Sequence, residues 1–185
     1  MATSRILYLI ACAALPARRI DTPIRLAQQA GWDVCRILTP TAFRWMQDDP
    51  VGGMHLGTLL HLTGRPIRHE FRLPSQENLL PPPNAILVAP LSANTLNKWA
   101  AGHADALALG LIAEAIGLPI PIVALPHYNT AQAAHPAIGR SVATLREAGV
   151  NVLLGPDGFT PHPPGESTLR TYPWQAAIDA LPTPR

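Results

Sequence analysis

A chain of 185 residues in which 48% of residues are hydrophobic and 14% charged is long enough to bury a sizeable core within one domain. The formal net charge of +2 is small and scattered, and 13 of the 14 basic residues are arginine, with Lys98 alone, so the chain has no nucleic-acid footprint. Cys12 and Cys35 make neither a disulfide framework nor a metal site, which points to a reducing, cytoplasmic setting. No apolar run reaches the length of a membrane span.

In chain order, the apolar run from Ile6 to Ala11 reads as a first strand, in preference to a secretory signal, because the later elements need it to complete a sheet. The loop Cys12-Ala13-Ala14-Leu15-Pro16 follows it. Asp21-Thr22-Pro23 starts a helix that Gly31 ends, and Asp33 to Leu38 is a second strand. Thr39-Pro40-Thr41 opens a helix containing Phe43, Trp45 and Met46. A loop from Asp48 to Gly53 and a short helix from Met54 to Thr63 come next. Pro66 to Phe71 is a possible strand, and Leu73 to Asn84, with three consecutive prolines, is an ordered loop over a site.

The apolar stretch Ala85 to Ala89 reads as a buried parallel strand, and it stops at Pro90-Leu91-Ser92-Ala93-Asn94-Thr95 before a further helix. Small polar residues at the carboxyl end of such a strand suit a ligand that approaches the backbone. One helix cap accounts for part of this cluster, but the cluster is longer than a cap requires. Ala104 to Ile116 is an almost wholly apolar helix, and Pro121 to Ala124 is a strand that ends at Pro126 before the loop His127-Tyr128-Asn129-Thr130. A helix from Pro136 to Ala148, a strand from Val150 to Leu154 and a Pro-rich tail over 155–185 with a last helix from Trp174 to Leu181 complete the chain. The alternation predicts one α/β domain over 1–185, a Rossmann-like (flavodoxin-like) three-layer fold with a parallel sheet of about six strands.

Three strand ends then converge: that of the first strand, that of the second with Thr39, Thr41 and Phe43, and that of the strand before Ser92, Asn94 and Thr95. Hydroxyls and backbone N–H groups at helix starts hold a phosphate without a basic residue. With no G-x-G-x-x-G and no Walker pattern, a mononucleotide such as FMN fits better than a dinucleotide. Taken alone, Phe43 is better explained as a core aromatic on a helix, and the case for a ligand rests on the set. No two histidines have metal-site spacing, and among the seven His127 is the one best placed to face a ligand.

The segment Pro90-Leu91-Ser92-Ala93-Asn94-Thr95, with its continuation Asn97-Lys98-Trp99-Ala100-Ala101-Gly102-His103-Ala104-Asp105, resembles the homo-oligomeric flavin-containing cysteine decarboxylases. Members of that family bind FMN in trimers and oxidatively decarboxylate a carboxyl-terminal cysteine, on phosphopantothenoylcysteine or on a peptide. The thiolate passes a hydride to the flavin, and the resulting thioaldehyde stabilises the carbanion left by loss of CO₂. The resemblance implies FMN contacts from Cys12, Ala13, Thr39, Thr41, Phe43, Pro90, Ser92, Ala93, Asn94 and Thr95, with Thr39 at the phosphate and Phe43 at the ring.

Three departures from the family pattern stand out. Cys12-Ala13 replaces a Gly-Ser pair. The family's catalytic histidine, counted back nine residues from Ala85, becomes Gln76, with His69, His127 and Glu77 as substitutes. The substrate loop reads Pro126-His127-Tyr128-Asn129 without the family's methionines and tryptophan, although Asn129, which the resemblance assigns to the substrate carboxylate, is kept. The implied catalytic set is Asn129, Gln76 and His127, with no metal, and the implied partners are a peptide or small thiol and further copies of the chain, with neither nucleic acid nor membrane. The alternative is an FMN-binding accessory subunit without decarboxylase activity. A flavin prenyltransferase is disfavoured, because Lys98 alone makes a poor site for dimethylallyl phosphate.

Overall fold

A computed structural model describes residues 5–48, 56–78, 80–166 and 168–183. Its sheet has five parallel strands, β1 (Arg5–Ala11), β2 (Trp32–Leu38), β3 (Ala85–Ser92), β4 (Ile122–His127) and β5 (Asn151–Val152), in the order β2-β1-β3-β4-β5. Apart from the residues at their ends, β1, β3 and β4 are buried throughout, as strands covered on both faces require. The direction of winding reverses between β1 and β3, which makes the crevice beyond their carboxyl ends the switch point of the sheet.

Helices cover both faces. On one face α1 (Asp21–Gln29) packs on α8 (Trp174–Asp179). On the other α4 (Ala93–Ala100) packs on α5 (Leu107–Ile116) and α7 (Pro136–Glu147). Helix α1 buries Pro23, Ile24 and Ala27, spaced for one face, and the full burial of Ile24 contributes about 2 kcal/mol. It ends where Gly31 takes a φ of 81°, a conformation that favours glycine. Helices α2 (Pro40–Asp48), α3 (Leu56–Thr63) and the single turn α6 (Thr130–Ala133) complete the set. The expected loop through Gly53 and the start of the helix placed at Met54 fall outside the described residues.

The expected sixth strand, Pro66 to Phe71, is reduced to one bridge. Arg68 N–H donates to Arg36 C=O (3.0 Å) and Leu38 N–H donates to Arg68 C=O (2.8 Å), which pairs Arg68 with Ile37 on the free edge of β2. Prolines close to a segment this short leave too few donors for a longer ladder. The apolar helix expected from Ala104 begins at Leu107. The loop before β3 divides in two: Gln76 and Glu77 line a cleft with His69, whereas Pro81 accepts a hydrogen bond from the Tyr8 hydroxyl (2.8 Å) and leads away along the sheet.

The Pro-rich tail is docked. Phe159, Tyr172 and Trp174 are buried in it, and the Tyr172 hydroxyl donates to Leu125 C=O (2.7 Å). After β5 the chain doubles back, with Phe159 N–H donating to Leu153 C=O and Gly155 N–H to Phe159 C=O (both 3.0 Å). Gly158 lies so close to Leu153 that an added Cβ would sit 2.5 Å from its backbone.

Candidate functional site

The ends of β1, β2 and β3 are tied together by backbone. Cys12 N–H donates to Pro90 C=O and Thr39 N–H to Ala11 C=O, both at 3.0 Å. Two helices start beside this knot. Ser92 caps α4, its Oγ accepting from Thr95 N–H (3.3 Å) and donating to Thr95 Oγ1 (3.1 Å). Thr39 stands before α2, its Oγ1 accepting from Ala42 N–H (3.4 Å). The α2 and α4 N-termini thus begin at the ends of β2 and β3, the two strands that flank β1, where free N–H groups and the positive dipole ends favour an anion. Thr41 and Asn94, in these first turns, are exposed, while Ala13, Ala93 and Phe43 are half-buried.

Cys12 is 1% exposed and lies within hydrogen-bond reach of the Thr95 hydroxyl and of the Ser92 N–H and hydroxyl. Burial pushes its thiol pKa up, and these hydrogen bonds pull it back only in part. A thiol kept protonated in such a place is a packing group and not a nucleophile. The hydroxyls of Ser92 and Thr95 are therefore partly engaged within the protein, and Asn94 is the freer polar side chain of the cluster.

The ring of Phe43 stacks on that of His69, with centroids 3.4 Å apart and planes 12° from parallel. The Arg68 bridge causes this, because it brings the next residue level with the end of β2. His69 Nδ1 is 3.7 Å from Glu70 Oε1. Gln76 is exposed, its Oε1 accepting from Leu73 N–H (2.9 Å) and its carbonyl from Arg72 (2.8 Å). His69, Gln76 and Glu77 line one polar cleft of about 350 Å³ with Arg68 and Glu70, but the imidazole is the group against Phe43. Counting along the chain pointed to Gln76. The bridge that brings His69 against Phe43 is a long-range contact and has no local signature.

The β4 side is assembled differently. His127 pairs in register with Ser92 of β3, and its ring is ringed by Phe159, His162 and Tyr172 at 5.4, 5.2 and 5.6 Å between centroids. Its Nε2 is 3.2 Å from the Thr168 hydroxyl. Burial, followed by the neighbouring His162, lowers its pKa to about 4, so this imidazole is neutral near pH 7. Asn129 caps α6 in a reciprocal pair: its Oδ1 accepts from Gln132 N–H (2.8 Å) and its N–H donates to Gln132 Oε1 (3.1 Å). Thr130 N–H donates to His162 C=O (2.9 Å), which seats the tail beside Asn129. Phe159, His162, Thr168 and Tyr172 were not singled out from the sequence, although aromatic residues recurring in an otherwise polar, Pro-rich tail are a docking signal. Among the described residues no three His, Cys, Asp or Glu side chains gather to hold a metal ion. Nor is any described helix long and apolar enough to cross a membrane.

No curated protein sequence matches the chain. Solved structures do. The FMN-dependent cysteine decarboxylase SpaF is 22% identical, with 97% of this chain and 98% of that one aligned at a TM-score of 0.63. TvaF, the FMN-dependent cysteine decarboxylase from thioviridamide biosynthesis, is 20% identical over 95% and 97% of the two chains at 0.65. AnUbiX in complex with FMN and dimethylallyl pyrophosphate is 12% identical over 80% and 77% at 0.66. These likenesses show the fold, a Rossmann-type, flavodoxin-like parallel sheet flanked by helices. The sequence model of the Flavoprotein family matches residues 4–172, and with nearly the whole chain matched, the protein belongs to the Flavoprotein family.

Proposed function

We propose that this flavoprotein binds FMN at the switch point and oxidatively decarboxylates the terminal cysteine of a peptide or small thiol. The residues present fit the cofactor. Cys12, Ala13, Thr39, Thr41, Pro90, Ser92, Ala93, Asn94 and Thr95 include no carboxylate to repel a phosphate, and two helix starts supply donors. Phe43 offers a flat ring for the flavin. Bound there, FMN supplies the two-electron acceptor, and the protein contributes position and proton transfer.

The stack of His69 on Phe43 is the observation that carries the decarboxylase reading. It puts a ring nitrogen that can take the substrate's thiol proton beside the side chain assigned to the flavin. Asn129, with its Oδ1 held by Gln132, keeps its Nδ2 as the donor for a carboxylate. The accessory-subunit reading rested on Gln76 in the histidine's place, and the stacked His69 favours an active enzyme over it. Lys98 is paired with Asp105 (2.5 Å), which leaves little to favour a prenyl phosphate site. Trp45, Phe71 and Leu73, on α2 and on the segment after His69, are more than half exposed and give an apolar surface for the homo-oligomer, a trimer by family resemblance.

The purified protein is expected to be yellow or to take up added FMN, and the flavin to bleach on anaerobic mixing with cysteine-ended peptides. A colourless protein that takes up no FMN overturns the whole reading. Flavin binding without bleaching by any such peptide transfers the protein to the accessory role.

A further inference from the structure

Helix α5 carries a glycine that its own backbone does not need. Gly110 donates its N–H to Ala106 C=O (2.9 Å), as any residue of the helix would, and it does not take a positive φ. Glycine is the poorest helix former after proline, so almost any other side chain there would favour the helix. What the missing side chain leaves is room. An added Cβ would lie 3.1 Å from Cε1 and 3.2 Å from Cζ of Phe71, closer than ordinary van der Waals contact. The edge of that ring thus rests on the bare helix where a side chain would stand. Phe71 is otherwise 56% exposed, so this seat, and not burial in the core, fixes where the ring lies.

Phe71 follows His69 by two residues. On the near side of the histidine, Arg68 is tied to β2 by two backbone hydrogen bonds, and the imidazole itself lies on Phe43 of α2. On the far side, among the described residues, no backbone hydrogen bond joins 69–72 to a helix or strand. The hold there is the Phe71 ring on α5. A histidine fixed at one side only is free to swing about that side, and a ring stack is lost by small rotations.

Resting on the decarboxylase reading for the role of His69, we propose that Gly110 and Phe71 are positioning residues. The Phe71 ring, seated on α5, holds the chain after His69 so that the imidazole stays flat against Phe43. The segment from Arg68 to Phe71 is then mounted at three places, on β2, on α2 and on α5. A side chain at position 110 evicts the ring, and His69 leaves the stack with it. Neither residue touches the reacting atoms.

The test uses Gly110→Leu, which fills the seat, and Phe71→Ala, which empties it. In the FMN-free protein the imidazole C–H resonances of His69, assigned by their loss in His69→Ala, are expected to lie upfield because of the Phe43 ring, and to lose that shift in both variants. In the FMN-loaded protein both variants are expected to slow anaerobic flavin bleaching by a cysteine-ended peptide about 100-fold, the order that a 1 Å misplacement costs. FMN affinity is expected to hold, and so is the urea midpoint of Gly110→Leu, since leucine is the better helix former. Phe71→Leu, which keeps an apolar body for the seat, retains part of the shift and of the rate. Resonances that stay upfield in both Gly110→Leu and Phe71→Ala overturn the proposal, as does bleaching at the unmodified rate in both. A change of oligomeric mass in Phe71→Ala with the His69 resonances in place assigns the ring to the subunit surface alone and overturns it as well. Should Gly110→Leu not fold, Phe71→Ala, at an exposed position, decides. A His69 displaced by these changes, in a protein whose unmodified form shows no bleaching, would remove the decarboxylase reading and leave the positioning standing. Bleaching by the unmodified protein with His69 unmoved by either change would do the reverse.

Discussion

At the ends of β1, β2 and β3 the crevice is made by residues that directly adjoin the strands, whereas at the end of β4 it is made by a tail that begins only after β5. The first flank is a knot of backbone hydrogen bonds and helix caps: Cys12 to Pro90, Thr39 to Ala11, Ser92 to Thr95. The second is a cluster of rings, His127 with Phe159, His162 and Tyr172. Caps and strand ends fix backbone donors where a cofactor needs them, and they change little without breaking the sheet. A docked tail can exchange side chains at small cost to the sheet, which suits the choice of substrate. On the proposed function, the molecule thus separates holding the cofactor from choosing what it acts on.

The sharpest way to break this division lies on the first flank. His69→Ala is expected to slow anaerobic flavin bleaching by a cysteine-ended peptide by about 100-fold or more, the usual contribution of a positioned base. FMN affinity, read by fluorescence quenching, should change little, because Phe43 and the helix starts remain. A bleaching rate unaltered by this change would move the base to the β4 flank and erase the division.

On the second flank Tyr172→Phe leaves Leu125 C=O without its buried donor. It should lower stability in urea by about 1 kcal/mol without altering FMN affinity. A loss of FMN binding would mean that the tail supports both flanks.

The same flank should respond to acid. Burial and His162 hold the His127 pKa at about 4, against about 6.5 in an unfolded chain, so as pH falls the unfolded chain takes up the proton first. The stability due to neutral His127 is complete above about pH 6.5 and is lost as pH falls through about 4. Urea midpoints measured between pH 7 and 4 should therefore fall less steeply in His127→Gln. The smallest effect belongs to Gln76→Ala, whose side chain makes one exposed hydrogen bond to Leu73 N–H. It should leave bleaching and FMN affinity unchanged, and a large loss of bleaching would restore Gln76 to the catalytic set.

What the sequence disclosed follows the same line. Strand ends, caps and terminating glycines are local patterns, so the parallel sheet and the cluster from Pro90 to Thr95 were readable from residue order. His69 stood in the sequence only as one substitute beside His127 and Glu77, because its place beside Phe43 depends on the Arg68 bridge to β2, a long-range contact that residue order does not show. The tail was read as Pro-rich chain with one last helix because proline signals dominate its composition. The burial of Phe159, Tyr172 and Trp174 depends on which surface they meet, and composition does not carry that information.

Gly158 gives this arrangement a remote control. With Leu153 backbone 2.5 Å from where a side chain would begin, a single methyl group there cannot be absorbed by a rotamer change, and the turn itself must open. Phe159 rides on that turn and packs against both His127 and His162. Gly158→Ala would act as a wedge that loosens the β4 flank from outside, leaving every side chain of the crevice chemically intact. One hydrogen atom in place of a methyl group, in a stretch that looks like filler, keeps the tail pressed against the sheet.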